Sequence, residues 1–172
     1  MDDDRQDDLA SRKTRTTAER KSERELVVTR TVNGPARLVF EAWARPELFQ
    51  RWWAPKSFGV SLISFEADVR TGGEYRLVMG HASSERTMAF FGRYIEVTPY
   101  SRLVWTNDEG GEDGPVTTVT FEEKGGATLV VVHELYPSKE TLDDAIASGS
   151  TSGWGEQFEQ LDALIIALDA TT

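Results

Sequence analysis

The residues best able to do chemistry are few. They are two histidines, His81 and His133, and a charged set, Asp68, Arg70, Glu74 and Arg76, around the turn Thr71-Gly72-Gly73. His133 precedes Glu134 in a valine- and leucine-rich run that reads as a strand. Neighbouring side chains on a strand point to opposite faces, so the two cannot form one acid/base pair. By alternation His133 shares a face with Leu129, Val131 and Leu135, and it is expected to point inward, as a hydrogen-bonded core histidine or as a cavity group. His81 falls in a turn. Two histidines at unrelated positions, with no cysteine, give no metal-binding spacing, no thiolate and no disulfide.

Around the double glycine, Arg70 or Arg76 could hold a ligand's carbonyl or carboxylate at a cavity mouth; the competing reading is cross-strand charge pairing that fixes hairpin register. Glu66, Asp68, Arg93 and Glu96 carry the same two readings, because the strand from Phe58 to Asp68 has apolar residues on both sides. No serine stands on a G-x-S-x-G elbow, so no catalytic residue is assigned and no cofactor is expected. Gly149-Ser150-Thr151-Ser152-Gly153 has no lysine and lacks phosphate-loop spacing, so it reads as a hinge or cap, with cavity gating or a dimer contact as its two uses.

Aromatic side chains are more numerous than a dry core of this size requires: Trp43, Trp53, Phe58, Tyr75, Phe90, Phe91, Tyr94, Trp105 and Phe121. Large rings can fill an interior or line a pocket, leaving hydroxyl and indole N–H groups to orient a guest, and methionine suits a wall that adapts to it. The expected cavity set is Trp43, Trp53, Phe58, Tyr75, Arg76, Met79, Met88, Phe90, Trp105, His133, Trp154 and Phe158.

These residues must be positioned by one domain with a single sizeable core, the natural reading of 172 residues whose first two dozen are nearly all polar. Residues 1–24 are expected to be a disordered charged tail, turning helical from Glu19 at most, and 25–170 to be the domain. With 19 basic and 29 acidic residues the net charge is −10, which repels nucleic acid and anionic lipid surfaces. No apolar run approaches the ~20 residues of a membrane span, and no apolar signal-peptide core stands at the N-terminus, so membrane insertion is not expected and the cytoplasm is the expected compartment.

Leu26 to Val32 reads as a strand ended by Asn33-Gly34. Pro35 and Pro46 start two short helices, the first carrying Val39, Phe40 and Trp43 on one face, the second Leu48, Phe49 and Trp52. Six further strands follow, at about Phe58 to Asp68, Glu74 to Met79, Arg86 to Thr98, Arg102 to Asn107, Val116 to Glu123 and Ala127 to Tyr136. Their short turns imply antiparallel pairing. Ser138 can cap a short helix through Ala147. A longer one follows, with Trp154, Phe158, Leu161, Leu164, Ile165 and Leu168 on an apolar stripe and Glu156, Glu159 and Asp162 opposite. The expected architecture is α+β: a curved seven-stranded antiparallel sheet around a long C-terminal helix, with two short helices after strand 1.

The segments N-G-P-A-x-x-V-F-x-A-W, P-E-L-F-x-x-W-W-A-P, D-V-R-T-G-G-E-Y-R, G-R-Y-I-E-V-T-P-Y-S-R-L-V-W-T, V-T-F-E-E-K-G-G-A-T-L-V-V-V-H-E and G-W-x-x-x-F-x-x-L-D-x-L, in this order, resemble the activator of Hsp90 ATPase homologue 1-like family, part of the START-like (SRPBCC) superfamily. The likeness covers roughly Glu25 to Leu168. It implies a helix-grip (Bet v 1-like) fold with a cavity between sheet and long helix. One such fold hosts carriers, cyclases, hydrolases and chaperone partners, so it does not select among them. The eukaryotic co-chaperone carries a further N-terminal domain that makes much of the contact with Hsp90. Only a short polar tail precedes Leu26 here, which ranks an Hsp90-type chaperone last among the expected partners. The expected function is binding of a hydrophobic or amphipathic small molecule, with a homodimer as the expected assembly; the alternatives are a cyclase- or hydrolase-like enzyme and a chaperone-linked interaction protein.

Overall fold

A computed structural model describes residues 16–109, 111, 114–149 and 151–170. Its sheet has the order β1-β2-β8-β7-β6-β5-β4-β3, all antiparallel. The strands are β1 (Thr17–Arg20), β2 (Glu25–Val32), β3 (Val60–Ala67), β4 (Glu74–His81), β5 (Thr87–Thr98), β6 (Arg102–Thr106), β7 (Val116–Lys124) and β8 (Ala127–Leu135). Eight strands replace the expected seven. The addition is β1, which lies within the stretch expected to be tail and pairs Thr17 to Arg20 with Thr29 to Leu26 of β2. Glu19 is therefore in a strand and not a helix: an open sheet edge supplies backbone partners that an isolated polar segment lacks. The remainder of that tail, 1–15, lies outside the described residues.

The helices are α1 (Ala36–Ala44), α2 (Pro46–Phe49), α3 (Lys139–Ala147) and α4 (Trp154–Ala170). Ser138 caps α3 in a reciprocal box with Thr141. The first free N–H of α1 comes from Ala36, and the Glu123 carboxylate accepts it at 2.8 Å. Phe58, read as the start of a strand, instead ends a single 3-10 turn (Lys56–Phe58), and β3 begins at Val60.

Register follows from the turns. Lys124 pairs with Ala127 across a two-residue loop in which Gly125 and Gly126 both have positive φ, the geometry a tight hairpin demands. At Thr71-Gly72-Gly73, Gly72 has φ 87°, and a Cβ on Gly73 would lie 1.9 Å from the Asp68 carbonyl oxygen, so neither position admits a side chain without moving the chain. Of the charges that flank this turn, Glu66 lies opposite Arg76 and Glu74 opposite Arg93 in the strand register, and Arg70 Nε donates to Asp68 Oδ2 at 2.7 Å. Glu66, Asp68, Glu74, Arg76 and Arg93 also line a second pocket on this outer side, so the cluster keeps both of its readings.

The concave face of the sheet packs on α1 and α4. Val28, Val32, Val119, Val130, Val132 and Leu103 meet Val39, Phe158, Leu161 and Ile165 in one buried cluster. Asp162, read as part of the outer face of α4, instead pairs with Arg30 of β2, both largely buried. The first half of α4 is tied to the segment after α2. Gln160 Nε2 donates to the Trp52 and Ala54 carbonyls at 2.8 and 2.9 Å, and Gln157 Nε2 donates to the Trp53 carbonyl at 2.6 Å. Wedged apart at this end, helix and sheet leave a gap between them.

Candidate functional site

The gap is a cavity of about 720 Å³. Its walls come from the concave faces of β3 to β8, the two short helices and their connections, Ser148, Gly149, Thr151, Ser152 and Gly153, and the first turn of α4. Cross-strand register explains why these side chains meet. Met79 lies opposite Met88, Leu77 opposite both Phe65 and Phe90, and Tyr94 opposite Trp105. All of them face the cavity.

Nine expected residues line it: Trp43, Trp53, Phe58, Tyr75, Met79, Met88, Phe90, Trp105 and Trp154. Phe58 and Met88 are also 43% and 56% exposed, which places them at the mouth. Trp43 is the hub of the aromatic wall, with ring centroids 4.7 Å from Trp52, 6.0 Å from Trp53 and Trp105, and 6.3 Å from Trp154. It is only 3% exposed, and its buried indole N–H has no hydrogen-bond partner among the described residues.

Three expectations fail on placement. Phe158 is fully buried in the core beside Trp43 and Trp154 and does not reach the cavity. Arg76 is exposed on the outer face of β4, because Tyr75 and Leu77 take the inner one. His133 points away from the cavity, where its Nε2 pairs with Glu25 Oε1 at 2.9 Å; that hydrogen bond is the main reason the Glu25 carboxyl is held below its usual range. Its neighbour Glu134 takes the inner position instead.

Glu134 opens a polar band that sequence reasoning missed. It lies opposite Thr117 of β7, which lies opposite Trp105 of β6. Tyr136 Oη donates to Glu134 Oε2 at 3.0 Å. Asn107 Nδ2 donates to Thr117 Oγ1 at 3.0 Å and to the Pro115 carbonyl at 2.9 Å, while Tyr75 Oη donates to the Thr106 carbonyl at 2.7 Å. Glu109 joins from the β6–β7 connection. Removal from water pushes the Glu134 carboxyl up, against the opposing pull of the Tyr136 hydrogen bond and of His133. Burial likewise raises Glu109 and the phenols of Tyr75, Tyr94 and Tyr136. An apolar chamber thus ends in a band of hydroxyl, amide and carboxyl groups.

A signal for Glu134 existed in the sequence. A two-residue Gly125-Gly126 hairpin makes Lys124 face Ala127, so Phe121 faces Val130 and Thr117 faces Glu134. The threonines Thr118 and Thr120 mark the outer face of β7 and so set the inner one.

No histidine is among the described lining residues, and the described residues hold no group of three or more possible metal ligands. The comparisons with known proteins agree with the fold. The family described as Activator of Hsp90 ATPase homolog 1-like protein matches residues 33–165. The chain belongs to this family. Solved structures similar to it include a protein from Rhodobacter sphaeroides (22% identity, 89% of this chain and 99% of that one, TM-score 0.81). Another is from Nitrosomonas europaea (23% identity, 88% and 99%, TM-score 0.78). A third, from Chromobacterium violaceum, is 28% identical over 81% of this chain and 96% of its own, with TM-score 0.69. No curated protein matches. The helix-grip, START-like architecture of the family is that of the chain described here, with an eight-stranded sheet. Among the described residues no helix is long and apolar enough to cross a membrane.

Proposed function

We propose that the protein binds a hydrophobic or amphipathic small molecule between the sheet and α4. The observation that carries this reading is the cavity itself: about 720 Å³, walled by four tryptophans and two methionines, with hydrogen-bonding groups gathered along one band. That volume lies within the roughly 300–1,000 Å³ of small-molecule sites. Affinity would come from apolar area removed from water, at about 25 cal/mol per Å², and orientation from the polar band. The unpartnered indole N–H of Trp43 supports the same reading, since an oxygen on a guest would satisfy it.

Native mass spectrometry of the purified protein, followed by denaturing extraction, tests the reading. A reproducible apolar adduct is the expected result. An empty protein whose tryptophan emission does not respond to any apolar probe would sink it. A homodimer and a cytoplasmic setting belong to the same proposal and are read by analytical ultracentrifugation and cell fractionation.

One observation favours a second reading, a cyclase- or hydrolase-like enzyme. Glu134 is an inward-facing carboxyl whose proton is held above the ordinary range beside the Tyr136 hydroxyl, an arrangement suited to giving or taking a proton. Incubating an extracted ligand with the protein and with Glu134→Gln decides it: conversion by the former alone supports catalysis, and recovery of the unchanged molecule from both returns the weight to binding.

A further inference from the structure

We infer that the cavity is built for a guest whose polar end is a protonated amine, and that it excludes guests ending in a carboxylate. This rests on the binding reading and names its ligand class. The charges on the wall argue for it. Of the described lining residues, Glu109 and Glu134 are the ionisable acids, and no lysine, arginine or histidine lines the chamber. The described residues of the β6–β7 connection that brings Glu109 include a second acid, Asp108, and no basic residue. A guest carboxylate would find no cation to receive it and would push the Glu134 and Glu109 carboxyls further toward their neutral forms. An ammonium draws Glu134 toward its ionised form and then meets opposite charge there, with acceptors along the polar band and aromatic rings in the wall, whose quadrupoles attract cations. The net charge of −10 draws cations toward the molecule and repels anions.

The groups around Glu134 leave its charge available to a guest. Its cross-strand neighbours, Leu26 of β2 and Thr117 of β7, are uncharged, and so are the lining residues of α3, of segment 148–153 and of α4. On its own strand and just beyond, His133 faces the other way and is engaged with Glu25, and Tyr136 donates to the carboxylate. Arg24 spends its Nε on the Tyr136 carbonyl, at 2.8 Å, and is not a lining residue. Facing Glu134 across the chamber, Glu109 and the phenols of Tyr75 and Tyr94 add no positive charge. An arriving ammonium would therefore be the first full counter-charge inside the cavity.

The test uses three probes with the same chain: decylamine, decanol and decanoate, each titrated calorimetrically and by tryptophan emission. Decylamine should bind at least about ten-fold more tightly than decanoate at neutral pH, with decanol between them. Its affinity should rise with pH as Glu134 ionises and level off above that group's raised pKa, since the ammonium binds the ionised form. Glu134→Gln, with the fold checked by thermal melting, should flatten this rise and shrink the ratio of decylamine to decanoate affinity. Decanoate binding as tightly as decylamine, or a preference untouched by Glu134→Gln and Glu109→Gln together, overturns the inference while the cavity-binding reading stands. No binding by any of the three overturns both.

Discussion

Glu134 is where a single side chain departs furthest from what its neighbours suggest, and its environment makes a prediction about stability. Burial raises its folded pKa above the unfolded value, so between those two values the native state holds more protons than the unfolded one. Stability therefore falls as pH rises from the ordinary carboxylate range through the raised pKa, by up to about 1.4 kcal/mol per pH unit. Glu134→Gln keeps an acceptor for Tyr136 and carries no charge. It should raise the unfolding free energy of the ligand-free protein at pH 7 by about 1 kcal/mol and remove that part of the slope, as read by urea denaturation across pH. Glu25 works in the opposite sense. Its lowered pKa, set by the His133 hydrogen bond, contributes stability that is present above its unfolded value and is lost as pH falls through the folded one. That pair is solvent-facing, so the loss should be small.

At the scale of elements, Arg30 and Asp162 tie the middle of α4 to the sheet, and Gln157 and Gln160 tie its first half to the segment after α2. The ion pair is largely buried, and Arg30 Nε and Asp162 Oδ1 remain without partners, so it does little to offset its own desolvation. Asp162→Ala should cost about 3–5 kcal/mol by stranding the guanidinium, whereas Arg30→Met with Asp162→Leu should recover most of that loss; equal damage from the single and double changes would show that the pair itself holds the helix. Gly73→Ala is a sharper case. Its Cβ would meet the Asp68 backbone, and the β3–β4 hairpin should lose more than about 1 kcal/mol in the same denaturation assay. Elements of this kind were legible in the sequence. Proline at helix starts, the double-glycine turns and the stripe on α4 are local signals that the structure follows. Strand faces were harder. In β8 both faces are valine and leucine, so alternation had no phase, and the more apolar flank of His133 pointed outward. In β3 the register shifts between Leu62 and Ser64, which turns Ile63 out to 58% exposure and breaks the period of two. The aromatic wall could be named because rings are counted without knowing a face. The polar band needed cross-strand register, and β1 needed an edge to pair with.

For the molecule as a whole, an internal chamber is a liability that a guest removes. Side chains around an empty volume lose contacts on one side, and a ligand that binds only the folded state returns stability by mass action. At a ligand concentration 100 times Kd the gain is about 2.7 kcal/mol, worth roughly 5–10 °C in Tm for a domain of this size. Filling the chamber from the wall should reproduce part of this effect and block the rest. Met79 stands mid-strand on β4, opposite Met88 and Leu62, and faces the cavity without a polar partner to lose. Met79→Trp should leave the ligand-free Tm equal or a few degrees higher and cut probe affinity at least about ten-fold, so that the rise in Tm with decylamine falls to about half or less. The same ring placed in a closed, side-chain-filled interior would overpack it and lower stability by about 1–3 kcal/mol. The sign of the change in Tm therefore separates a protein that keeps space for a guest from one that has none, and it does so before any natural ligand is identified.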